Sequence, residues 1–137
     1  MAVRLNPYLS FAGDARQALE FYQEIFGGTL RFSTYAEFGP PDAPGADRIM
    51  HGMLETPDGL VLMGADVPPG TDHIPGNNFA VSLSGDDDAG LRGCWQRLSA
   101  DGEVVVPLEK QVWGDVLGMC TDRFGVPWMV AIGRPRS

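Results

Sequence analysis

Leu117–Ala131, LGMCTDRFGVPWMVA, reads as strand, tight turn, strand, because apolar β-formers flank an Asp/Gly turn signal. Nearly the same pattern stands earlier in the chain as His51–Ala65, HGMLETPDGLVLMGA. One ungapped offset of 66 carries Gly52 onto Gly118, Met53 onto Met119, Gly59 onto Gly125, Met63 onto Met129 and Ala65 onto Ala131. A second echo, at an offset of 72, carries Asn6, Ser10, Gly13, Asp14 and Leu19 onto Asn78, Ser82, Gly85, Asp86 and Leu91. One supersecondary unit is written twice.

Working outward from these echoes gives the elements. Val3–Phe11 alternates, with Val3, Leu5, Leu9 and Phe11 on one parity and Arg4, Asn6, Tyr8 and Ser10 on the other. That pattern predicts a strand with one face on an apolar layer, and Pro7 puts it at an edge or a bulge. Asp14 can cap the helix that follows. Its apolar stripe is Ala18, Leu19, Tyr22, Ile25 and Phe26, and Gly27-Gly28 ends it. Thr29–Tyr35 is a further strand. Ala36–Asp47, AEFGPPDAPGAD, is a Pro/Gly loop long enough to be mobile or a lid. It accounts for the six residues by which the two offsets differ. A hairpin over 48–65 closes the first half.

Asp66–Gly76, DVPPGTDHIPG, cannot continue a strand or a helix and separates the halves. The second half repeats the order: a strand over Asn78–Ser84, a helix with Leu91, Cys94, Trp95 and Leu98 inward, a strand over Glu103–Leu108, and the opening hairpin. Asp86–Asp88 place acids at the helix N-terminus, where they are favoured. Arg134–Ser137 is a polar tail. The expectation is an α+β fold of two tandem βαβββ modules, forming a cupped mixed sheet with the helices on its outer face. Module one covers 1–66, the linker 67–76 and module two 77–137, within a single domain. One helix covers only one face of four strands, and a cup left open suits a small molecule.

Composition narrows the partners. Acidic residues outnumber basic ones 18 to 10, giving a formal charge of −8. That disfavours nucleic acid, whose affinity comes mostly from neutralised phosphates, and offers no cationic face to anionic lipid. No apolar run approaches the roughly 18 residues of a membrane span, so a cytoplasmic protein is expected. Cys94 and Cys120 lack metal-type spacing and read as buried free thiols in preference to a disulfide.

In this order and spacing the motifs resemble a known family. Pro7-Tyr8, Ala18-Leu19-Glu20-Phe21-Tyr22, Phe26-Gly27-Gly28, Trp113-Gly114 and Asp122-Arg123-Phe124-Gly125-Val126-Pro127-Trp128 are similar to the vicinal-oxygen-chelate (glyoxalase/bleomycin-resistance/dioxygenase) superfamily, and most to its PhnB-like branch. The resemblance implies a homodimer. It also implies a divalent metal site built from His and Glu at two strand-one and two strand-four positions. Those positions map to Asn6 and Asn78, with Pro7 and Phe79 one residue on, and to Met63 and Met129. Neutral amides and thioethers are poor ligands for such an ion, so no metal, cofactor or catalytic residue is assigned.

The ligand-binding candidates are Asn6, Tyr8, His51, Met63, Asn78, Trp113 and Met129. Most have a plainer alternative. The methionines can fill core gaps, the asparagines can satisfy backbone groups and Tyr8 can be rim packing, whereas Trp113 reads as a wall for stacking. His51 is a general base or an ordinary strand histidine, whereas His73 reads as exposed. The expected function is metal-independent binding of an apolar or aromatic small molecule in the cup. The alternative is a vicinal-oxygen-chelate enzyme (lyase, isomerase, dioxygenase or transferase) with a displaced or absent metal.

Overall fold

A computed structural model describes residues 3–68 and 70–133 of the chain; the tail Arg134–Ser137 lies outside them. The fold is α+β, with two compact units, Met1–Pro75 and Gly76–Ser137. Each carries the β-α-β-β-β order.

In the first unit, β1 (Tyr8–Phe11) leads to α1 (Ala15–Phe26), β2 (Thr29–Thr34), β3 (Ile49–Glu55) and β4 (Val61–Asp66). The sheet order is β1-β4-β3-β2, with β1 parallel to β4 and the other pairs antiparallel. In the second unit, β5 (Val81–Gly85), α2 (Asp88–Ser99), β6 (Glu103–Lys110), β7 (Val116–Thr121) and β8 (Pro127–Ile132) repeat the plan in the order β5-β8-β7-β6.

The amphipathic helices fix which face of each sheet is closed. Ala15, Ala18, Leu19 and Tyr22 of α1 are buried against Leu9, Phe11, Ile49, Leu54 and Leu62. In the second unit Leu91 and Leu98 are the buried helix residues, and Cys120, Trp128, Val130 and Ile132 are buried on the strands. Each large apolar side chain so enclosed contributes roughly 1.5–3 kcal/mol relative to exposure. The echoed glycines explain themselves here. A Cβ on Gly52 would come within 2.5 Å of Leu19 Cδ1, and one on Gly118 within 2.8 Å of Trp95 Cη2 and 2.9 Å of Leu108 Cα. The glycines let a large neighbouring side chain settle directly on the strand.

Several expectations change. The first strand begins after Pro7: Val3 and Leu5 are 98% and 97% exposed and take no part in it. Asp14 makes no side-chain cap bond to α1. The carboxylate at that junction is Asp66, at the end of β4. Its Oδ1 accepts from Gly13 N at 2.8 Å and Ala15 N at 3.0 Å, and its Oδ2 from Ile49 N at 2.9 Å. One buried side chain thus ties the helix start, β3 and β4 together. In the second unit Asp87 caps α2 through Gly90 N, as the acidic run leads one to expect.

The loop after β2 opens with a single 3-10 turn, Tyr35–Glu37, held by a Thr34/Glu37 capping box. Ala36 N then donates to Ala46 O at 2.8 Å and Ala46 is buried, so the ends of the loop meet and its middle stands out as a compact bulge. His73 is only half-exposed: its Nε2 donates to Ser10 O at 2.9 Å, on the outer side of edge strand β1.

Candidate functional site

Strand register places the side chains of the face left open by each helix. In the first unit Tyr8 lies opposite Met63, Met63 opposite Met53, and Met53 opposite Arg31. Residues opposite one another share a face, so these four form one row across the whole sheet. Ser10, Ala65, His51 and Ser33 stand in the adjoining row, with Ser10 opposite Ala65 and His51 opposite Ser33. His51 stands two residues from Met53 in unbroken register and so shares its face by simple alternation; a bulge follows it. Ser33 pairs with His51 and the next residue, Thr34, pairs with Ile49, so Met50 is the extra residue. The bulge sends Ile49 into the core, 1% exposed, while His51 stays half-exposed.

The rings of Tyr8 and His51 stack, with centroids 5.9 Å apart and planes 27° from parallel. Tyr8 remains 52% exposed, so its phenol is available to a ligand. Behind it the Tyr35 hydroxyl donates to the Asp66 carbonyl at 2.9 Å. Burial pushes the Tyr35 phenol above its ordinary value; Tyr8 and then Asp66 add to this, and Arg48 opposes it.

The second unit repeats the methionine pair. Ser82 lies opposite Met129, Met129 opposite Met119, and Met119 opposite Val106. The adjoining row is Ser84, Ala131, Leu117 and Glu109. Its buried carboxylate, Asp122, is committed to the β7–β8 turn. It accepts from Phe124 N at 2.8 Å, Val126 N at 3.1 Å and Trp128 Nε1 at 2.9 Å.

Tyr8, His51 and Met63 therefore come together on one sheet face, and Met129 takes the matching place in the other unit. Asn6 and Asn78 do not join these rows. Both precede their strands, because the residues opposite Met63 and Met129 are Tyr8 and Ser82, and the strand-one echo is two residues out of step with that register. Asn6 instead lines a cleft of about 440 Å³ with Arg4, Leu5, Glu55, Thr56 and Leu60 at the end of the β3–β4 hairpin. Trp113 stands 63% exposed in the β6–β7 turn, where Gly114 N donates to Gln111 O.

The sequence reasoning passed over Met53 and Met119, although the echo pairs them as plainly as Met63 and Met129. It also passed over Arg31, which the alternation of Thr29–Ser33 places on the open parity.

The donor set does not fit a hard or borderline divalent cation. Phenol, thioether and aliphatic hydroxyl groups occupy the central rows, where imidazole and carboxylate are wanted. Among the described residues no three His, Cys, Asp or Glu side chains converge on a point where they could hold a metal together.

The family model of the Glyoxalase/Bleomycin resistance protein/Dioxygenase superfamily matches residues 4–130, and the chain belongs to that superfamily. The chain is 28% identical to protein YjdN of Escherichia coli K12 over 93% of its own length and 94% of that protein's. A crystal structure of protein PA1353 from Pseudomonas aeruginosa superposes with a TM-score of 0.86 at 33% identity, covering 98% of this chain and 100% of the other. The PhnB protein of Bacillus cereus superposes at 0.74 with 20% identity, over 96% and 100% of the two chains, and so shares the fold. No helix among the described residues is long and apolar enough to cross a membrane.

Proposed function

We propose that this chain is a PhnB-like small-molecule-binding protein that takes an apolar or aromatic ligand on its open sheet faces without a metal ion. The observation that carries the proposal is the pairing of Met63 with Met53 and of Met129 with Met119 on matched open faces, one of them flanked by the Tyr8–His51 ring stack. Methionine is soft and adaptable, and stacked rings offer an aromatic ligand a ready partner. Tyr8, His51, Met63 and Met129 are the contact residues of this proposal. The other three sequence candidates enter at the margins: Asn6 through its hairpin cleft, Asn78 and Trp113 as exposed groups.

Methyl-labelled methionine spectra test it. A panel of aromatic compounds, added in the presence of EDTA, should move the Met53, Met63, Met119 or Met129 methyl signals and raise Tm. Unmoved methyls across the panel, or binding that requires an added divalent ion, would count against it.

A second reading is an enzyme of the superfamily: a lyase, isomerase, dioxygenase or transferase. The phenol–imidazole contact of Tyr8 and His51 favours it, since an accessible imidazole can move a proton. Turnover abolished in His51→Ala with binding retained would select this reading. A homodimer in the cytoplasm completes the proposal, and a monomer in sedimentation at micromolar concentration would remove the dimer.

A further inference from the structure

The two open faces share a methionine pair and differ in what surrounds it. Where the first unit has Tyr8, His51 and Arg31, the second has Ser82, Leu117 and Val106 at the corresponding register positions. The first face therefore has a chemical direction. Tyr8 begins the row, two thioethers follow, and Arg31 ends it on edge strand β2, with Ser33 two residues along the same strand and His51 opposite Ser33. Four strands set about 4.8 Å apart make a row roughly 14 Å across.

Arg31 makes no ion pair and no hydrogen bond with any described residue. This is notable in a chain with 18 acids and 10 bases, in which a lone guanidinium has ample choice of carboxylates. The one acid sharing its face in the neighbouring row is Glu55, opposite Thr29, and it does not pair with Arg31. A guanidinium is a planar fork of donors that matches a carboxylate with two parallel bonds.

We infer that the occupant of the first unit's face is a small organic monoanion with an apolar body: an aryl or alkyl carboxylate whose carboxylate is held by Arg31 and whose body lies on Met53 and Met63 beside the Tyr8–His51 stack. This rests on the binding reading above and adds the ligand's charge and orientation. The second face has no cation at the corresponding positions and carries Glu109 in its adjoining row, so it offers a carboxylate no such hold. In a chain of net charge −8, an anion is retained only where a local cation outweighs the general field.

The test uses matched pairs that differ in charge: benzoate and benzyl alcohol, 2-naphthoate and 2-naphthylmethanol, octanoate and 1-octanol. Their Kd values are measured by methyl NMR on the wild-type chain and on Arg31→Leu and Arg31→Lys. Arg31 is exposed on an edge strand, so both variants should keep the wild-type Tm and spectrum. The wild type should bind the carboxylates about tenfold more tightly than the alcohols, as expected for a charge-assisted contact. Arg31→Leu should erase that preference without altering alcohol binding, and Arg31→Lys should restore part of it. Equal affinities in the wild type, or a carboxylate preference that survives in Arg31→Leu, would overturn the inference and leave Arg31 as a solubilising edge charge. Alcohol binding without any carboxylate preference defeats the anion assignment alone. If none of the six compounds binds, the binding reading fails and the anion assignment falls with it.

Discussion

The two units solve the same packing problem with carboxylates in different places. In the first, Asp66 closes the junction of helix and sheet, and its three backbone donors come from two distant parts of the unit, the start of α1 and the start of β3. In the second, Asp122 serves one turn, and all three of its donors lie within six residues of it. The position matching Asp66 under the strand echo is Ile132, an apolar core residue. The duplicated backbone tolerates this exchange because each buried carboxylate accepts three N–H bonds, two on one oxygen and one on the other. A buried charge is sustained by such bonds wherever they are available. What is conserved between the halves is the plan of strands and the glycines that let the helix approach. The polar fastening is specific to each half.

The comparison breaks first at those carboxylates. Asp66→Ala leaves three backbone donors unmet and should cost about 3–5 kcal/mol, as for other buried charged hydrogen-bond centres. Hydrogen exchange should then speed up in α1 and the start of β3. Asp122→Ala should cost a similar amount but confine the faster exchange to the β7–β8 turn and Trp128. Identical exchange patterns in the two variants would show that the fastenings are not local to their units.

The glycines give a smaller and asymmetric effect. Gly118→Ala meets the Leu108 backbone as well as the Trp95 ring, and should lose about 1–3 kcal/mol in urea denaturation. Gly52→Ala meets the flexible end of Leu19 first, with the Phe32 ring further off at 3.1 Å, and should lose less. Equal losses would mean that the backbone contact at Gly118 relaxes freely.

The smallest effect is alkaline. Burial, and secondarily Asp122, pushes the Cys120 thiol up to about 11 from its ordinary value of about 9. A thiol held protonated in the fold stabilises it below the unfolded value, and that contribution is lost as pH climbs from about 9 towards 11. Stability measured across that window should fall less in Cys120→Ala than in the wild type. Parallel curves would discard Cys120 as the source.

The plan of strands and helices was legible in the sequence because it depends on period and punctuation. Leu9 and Phe11 alternate, the α1 stripe repeats at helical spacing, and Gly59 and Gly125 mark turns. The family followed from motif order. The fastenings were not legible, since Asp66 acts on Gly13 and Ala15 across 53 and 51 residues, and no local pattern announces such a partner. Asp14 looked like the cap because it stands in the right place. The register of β1 against β4 was likewise hidden, so Asn6 was grouped with Met63 as a site position, whereas the residue opposite Met63 is Tyr8. Val3 and Leu5 alternate as strand residues do, yet alternation alone supplies no pairing partner. The bulge at Met50, which turns Ile49 into the core, left no mark that the period could reveal.

The bond from His73 to Ser10 gives the last stretch of the first unit a duty of its own. An uncovered outermost strand invites pairing with other chains and so seeds aggregates. By occupying the Ser10 carbonyl, His73 acts as a fender against unwanted sheet growth at that point of the edge. Removing the imidazole would leave the Ser10 carbonyl bare on that edge and make the protein stickier.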